Sequence, residues 1–274
     1  MNIFDRLQSI DKRILYVLLF FAIAFPLVNP VPLPMAIAPP TRAAYEWMKS
    51  LPDGGVLWVG GDYSASSIPE LTPAGKAFVR MAFEKNMRVI HFTMWNTGAN
   101  IMNAWLTGVA AEYNKQYGVD WVDIGYKPNA TAILRHMTSN IIEAAGTDFY
   151  GTPLADLPLM QEVLALSPEY VDGIVELSTG SPGSATYLTY VVEQKGIEMV
   201  VACTAVSAAG DMPYFLSGQF KGLLNGMAGA AELEKLSGHP DKASASLGAQ
   251  SFAHALIILF IILGNIGYIV NRRG

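Results

Sequence analysis

The sequence predicts an α/β domain of the doubly wound, Rossmann-like kind, with a mostly parallel five-stranded sheet, carried between an N-terminal and a C-terminal transmembrane helix. Three observations predict it. Short Val- and Ile-rich runs alternate with helix-like stretches through the middle of the chain. Those runs are apolar on both faces, as strands of a parallel sheet covered by helices must be. Two uncharged apolar segments lie outside them, one toward each end.

The expected strands are 56–59, 89–93, 121–124, 173–177 and 199–203, bounded by Gly, Asp, Pro or Asn. Helices are expected between them. The stretch 72–86 would start with Thr72 as N-cap and Pro73 at the first position. Residues 100–117 place Ile101, Trp105, Leu106, Val109 and Tyr113 at helical spacing, and 130–145 and 184–195 follow the same pattern. Gly146 and Gly196 read as stops, and Ser181 with Pro182 as the cap and opening of the helix after the fourth strand. The connection 147–171 is the longest between strands and is expected to hold one short helix near 157–166. A last helix is expected over 213–236, with Gly218, Gly222 and Gly226 along one face and Gly229 beside it. Glycine costs a helix about 1 kcal/mol relative to alanine, so this face calls for a closely packed partner helix, in the domain or in another subunit.

The apolar segment 14–28 leads into a stretch containing Pro30, Pro32 and Pro34. It reads as a retained signal anchor. Residues 35–38 offer an A-x-A cleavage site for the rival, cleaved reading, but Pro39 follows at once. The segment 252–270 carries no acidic or permanently cationic group and ends on Arg272 and Arg273, as a transmembrane helix does. Its His254 and Asn265 would lie near the interfaces or bond another helix. Lys12 and Arg13 precede the first span and the two arginines follow the second, so both termini are expected in the cytoplasm. The organisation is then a cytoplasmic end 1–13, an anchor 14–29, a proline-rich spacer 30–42, an extracytoplasmic domain 43–238, a linker 239–251, a span 252–270 and a tail 271–274.

The chain is 51% hydrophobic and 15% charged, with a net charge of −5. Residues 43–243 hold 12 basic and 21 acidic side chains, a balance that excludes a phosphate-backbone binder, so no nucleic acid is expected as partner. Sparse charge on a domain of this size suits burial against other proteins. The lone Cys203 excludes an intrachain disulfide and, within an apolar run, reads as a buried, inert thiol.

Ligands of open parallel sheets bind beyond the carboxyl ends of the strands. The residues there that could meet a ligand are Asp62, Ser64, Asn96, Tyr126, Ser178 and Thr179. Asp62 leads, because a carboxylate just after a buried strand can orient a hydroxyl or act as a base; the plain alternative is a turn or cap in a glycine loop. No G-x-G-x-x-G, G-x-x-x-x-G-K-[ST] or G-x-S-x-G occurs, and the histidines show no zinc spacing, so no cofactor and no metal is expected. His91 reads as a strand residue satisfied in the core. Asn129-Ala130-Thr131 matches a glycosylation acceptor. Two functions remain. One is a binding or scaffold subunit of an oligomeric envelope assembly, a homo-oligomer or one with other membrane subunits, with room for a small-molecule ligand. The other is an extracytoplasmic hydrolase or transferase working at the strand ends.

Overall fold

The computed structural model describes residues 11–29 and 34–273. The chain divides into an α/β unit, Ala36–Ala243, and a second unit made of the segments on either side of it.

In the second unit, α1 (Lys12–Val28) is capped by Asp11, whose carboxylate accepts the Arg13 N–H at 2.9 Å. Its 17 residues rise about 26 Å, short of the ~30 Å hydrocarbon core of a bilayer. Most of its large apolar side chains face outward; Phe20 is 65% exposed. Residues 1–10 of the expected cytoplasmic end, and 30–33 of the spacer, lie outside the described residues.

Pro39 and Pro40 do not continue an extended spacer. They open α2 (Pro39–Ser50), where a missing N–H costs nothing and a fixed φ suits the first turn. There follow β1 (Val56–Asp62), α3 (Ile68–Glu84), β2 (Arg88–Thr93), α4 (Asn96–Glu112), β3 (Trp121–Tyr126), α5 (Ala130–Met137), α6 (Ile141–Ala145), α7 (Pro158–Glu162) and β4 (Gly173–Ser178). Next come α8 (Ser184–Tyr187, continued by π-helical Leu188–Val192 and by Glu193–Lys195), β5 (Met199–Cys203), α9 (Ala208–Leu216), β6 (Gly222–Asn225), α10 (Gly226–Ser237) and α11 (Lys242–Arg273).

All strand pairs are parallel, in the order β3-β2-β1-β4-β5-β6. This is the Rossmann order, with its reversal point between β1 and β4. The sheet has six strands, not five, and is wholly rather than mostly parallel. The sixth strand lies inside the expected helix 213–236. There Gly218, at φ +81°, ends α9's turn, Gly222 to Leu224 are buried in β6, and Gly226, at φ +56°, opens α10. The four-residue glycine spacing is therefore no helix face. Gly222 lets α2 lie on the strand: a Cβ there would stand 2.4 Å from the Ala44 Cα.

Other boundaries shift for local reasons. α3 starts at Ile68, with Pro69 in its first turn, so Thr72 is no N-cap; its hydroxyl meets Tyr63 Oη at 2.8 Å. The expected helix 130–145 breaks in two at Asn140, which caps α6 by accepting the Glu143 N–H at 3.0 Å. α8 starts after Gly183 rather than after a Ser181 cap. One layer joins Trp58, Phe92, Ile124, Ile174, Met199 and Leu223 to residues of α5 to α9. On the opposite face α3 meets Leu177, where a Cβ at Gly75 would stand 2.6 Å from Leu177 Cδ1. Among the described residues one helix, Lys242–Val270, is long and apolar enough to cross a membrane. Its 29 residues rise about 43 Å.

Candidate functional site

β1 ends on Asp62 and β4 on Ser178, and the two are Cα partners at the reversal point. Asp62 is fully buried. Its Oδ1 accepts the Met94 N–H at 2.6 Å and the Thr93 hydroxyl at 3.1 Å, which ties β1 to the end of β2. Its carbonyl accepts the Thr179 N–H at 3.1 Å and the Thr179 hydroxyl at 3.3 Å, which ties it to the end of β4. The Ser178 hydroxyl accepts the Ser184 N–H at 3.2 Å and donates to the Gly180 carbonyl at 3.3 Å, holding the start of α8. Three of the expected residues, Asp62, Ser178 and Thr179, are thus brought together, and each is engaged by the backbone of the loops.

The other three lie apart. Ser64 meets Ser66 Oγ at 3.1 Å in the loop after β1. Asn96 is exposed in the first turn of α4. Tyr126 ends the edge strand β3, two strands from β1 and so about 10 Å away, half-buried against the core. Trp95 spans the reversal point, since its Nε1–H donates to the Pro182 carbonyl at 2.7 Å. That bond links the loop after β2 to the loop after β4 above Asp62.

Below Asp62 lies a residue that the strand pattern concealed. Glu176, in the middle of β4, is fully buried and Cα-paired with Gly60. Gly60 is what makes the room: a Cβ there would fall 1.6 Å from Glu176 Oε2. Both Glu176 oxygens and Asp62 Oδ2 lack any hydrogen-bond donor. Yet the two carboxyls lie within hydrogen-bonding reach of one another. Two carboxylates offer each other no donor; one proton between them supplies it. Burial pushes the Asp62 carboxyl up to about 7, against the opposing pull of the Met94 N–H, Glu176, Thr93 and His91. Burial raises Glu176 well above the ordinary range, and the charges of Asp62 and then Asp211 add to it.

Around the pair stand Tyr187, Asp211 and Cys203. Tyr187 Oη accepts the Trp58 indole N–H at 3.0 Å, and burial followed by the charge of Glu176 raises its phenol. Asp211 Oδ1 accepts the Ser184 hydroxyl at 3.2 Å, and burial raises its carboxyl. Burial, then the charge of Asp211, pushes the Cys203 thiol up. Thiolate is the reactive form, so Cys203 is expected to resist a maleimide in the native chain and to react fully once unfolded. Native labelling at the rate of a free thiol would show the end of β5 to be open.

A second polar cluster occupies the opposite face of the sheet. His91 Nδ1 and Asp123 Oδ1 are 2.6 Å apart, and both residues are fully buried. Asp123 also accepts the Gly125 N–H at 2.8 Å and the Asn103 amide at 2.9 Å. Among the described residues no group of three or more His, Cys, Asp or Glu side chains is arranged to hold a metal ion. A cavity of about 440 Å³ lies beside Arg80, Tyr113 and His239, away from the strand ends. No protein-family description, no curated protein and no solved structure matches this chain.

Proposed function

We propose that the chain is a membrane-anchored, extracytoplasmic α/β subunit that binds and positions partner proteins in an oligomeric assembly. The observation that carries this reading is how the α/β unit holds its two ends. Both are fastened to one helix, α10. Glu232 Oε2 accepts the Ala38 N–H at 3.0 Å, just ahead of α2. Glu234 accepts the Asp241 and Ala243 N–H groups, each at 3.0 Å, at the start of α11. Arg80 Nη1 adds a 2.8 Å bond to Asp241. Residues two apart in a helix differ by about 3 Å in height and point to different sides of it, so the chain enters and leaves the domain beside the same turn of α10. That arrangement suits a hairpin of two spans with both termini in the cytoplasm. Val206 (91% exposed) and Leu216 (76% exposed), beside and at the end of α9, supply apolar surface for a neighbouring subunit.

Two measurements test this. With Cys203→Ala as background, Ala155→Cys is expected to react with an impermeant maleimide added outside intact cells. Gly274→Cys is expected to react only after permeabilisation. Protection of position 155 in intact cells would invert or abolish the arrangement. Native mass in lipid nanodiscs is expected to exceed that of one 29.6 kDa chain; a strictly monomeric particle would remove the assembly role. The enzymatic reading has one observation of its own, the facing carboxyls of Asp62 and Glu176, since such pairs perform acid–base chemistry.

A further inference from the structure

We infer that Asp62 and Glu176 form one buried proton-binding site at the reversal point of the sheet, and that release of its proton loosens the clasp between the loops after β2 and β4. The inference stands on geometry. Two carboxyls from adjacent strands face each other in a volume that only a glycine at position 60 leaves open. Three of their four oxygens have no donor, and both residues are fully buried. Native interiors rarely leave buried polar atoms unpaired, and an isolated buried carboxylate is far costlier than a neutral acid. One shared proton satisfies the facing oxygens and removes one of the two charges. Neither oxygen set borrows a cation from nearby. The titratable groups packed around the pair are Tyr187 above it, Asp211 from α9, Cys203 from β5 and, across the sheet, His91 from β2. Of these, Asp211 adds negative charge, and His91 is already engaged by Asp123.

The link to the loops is direct. Asp62 holds Met94 and Thr93 through its carboxylate and Thr179 through its carbonyl. Trp95 closes the same two loops over it onto Pro182. Once the shared proton leaves, two like charges face each other in a fully buried site, and moving Asp62 outward relieves the repulsion at the expense of those bonds.

The sign of the pH dependence follows. A carboxyl raised in the folded state binds its proton more tightly there than in the unfolded chain. The pair's stabilisation is complete below about pH 4 and is lost as pH rises, first as Asp62 ionises near 7 to leave one shared proton, and then as that proton leaves Glu176 at a higher pH.

The test uses the full chain in detergent micelles, followed by infrared difference spectroscopy in heavy water between about pH 5 and about pH 10. The expected result is a protonated-carboxyl stretch that weakens near neutrality as Asp62 ionises, persists as the shared proton, and disappears only at higher pH. A change in Trp emission should accompany it and be lost in Trp95→Phe. Glu176→Gln and Asp62→Asn are expected to abolish the titrating band, whereas Asp211→Asn and His91→Gln leave it in place. Absence of a protonated carboxyl above pH 6 in the unaltered protein would overturn the inference, whether or not the variants fold. So would a band that survives Glu176→Gln, or one that titrates with no change in the Trp95 emission.

Discussion

Gly222→Ala is expected to destabilise the α/β domain by about 3 kcal/mol or more, the upper range for overpacking a core. The new methyl would stand 2.4 Å from the Cα and Cβ of Ala44 and 2.5 Å from its backbone N. Two of these are backbone atoms of α2 and the third is a Cβ fixed to it, so no side-chain rotation relieves the overlap. Either α2 lifts from the sheet, exposing the buried Trp47 and Met48, or β6 leaves β5. Gly210→Ala supplies the contrast. Gly210 lies within α9 with nothing within 4 Å of its absent Cβ, so alanine there should be neutral or stabilise by up to about 1 kcal/mol. Urea unfolding of the reconstituted protein reads both. A Gly222→Ala midpoint indistinguishable from that of the unaltered chain would mean that α2 does not lie on β6.

The second large effect concerns α11. Ile258 and Ile262 are 57% and 49% exposed, in the middle of the apolar stretch. Arginine at the centre of a span costs about 3 kcal/mol on insertion scales, so Ile258→Arg with Ile262→Arg should oppose insertion by about 6 kcal/mol. The expected outcome is a change of side. A cysteine placed at residue 274, expected to be protected when α11 is unaltered, should become accessible from the side on which the α/β domain lies. The readout does not depend on whether α1 holds the chain to a membrane. If accessibility at residue 274 stays as it was, α11 does not span.

Much of the fold could be read directly from residue order. Five of the six strands stand where Val- and Ile-rich runs placed them, and 199–203 coincides with β5 residue for residue. β6 is hidden in residue order because the four-residue glycine spacing mimics a helix face across the short apolar run between Gly222 and Asn225. Four residues are too few for periodicity to separate strand from helix. Helix boundaries slipped where a proline lay in a first turn, as at Pro69, or where a capping Asn interrupted an apolar pattern, as at Asn140.

The site was legible only in part. Asp62 was singled out because it ends an apolar strand, and it does lie at the reversal point beside Ser178 and Thr179. Glu176 carried one visible signal, a carboxylate alone in the apolar run 173–177. His91 and Asp123 were each likewise a polar residue inside a strand. None of these showed its partner, because strand register decides which side chains face one another. Two residues in one strand can be sorted by face from their spacing, but two residues in different strands meet only once the strands pair.

Residue order by itself determined what depends on neighbours in sequence: the alternation of strands and helices, the burial of strands on both faces, and the apolar helix toward the C-terminus. Those follow from local periodicity and from the cost of leaving apolar surface in water. Tertiary structure alone decided the sixth strand, the role of Gly60 and Gly222 as places of close approach, the fastening of both domain ends to α10, and the meeting of Asp62 with Glu176. Each depends on atoms that are distant in the chain and adjacent in space, where a single methyl group or a single proton changes the balance.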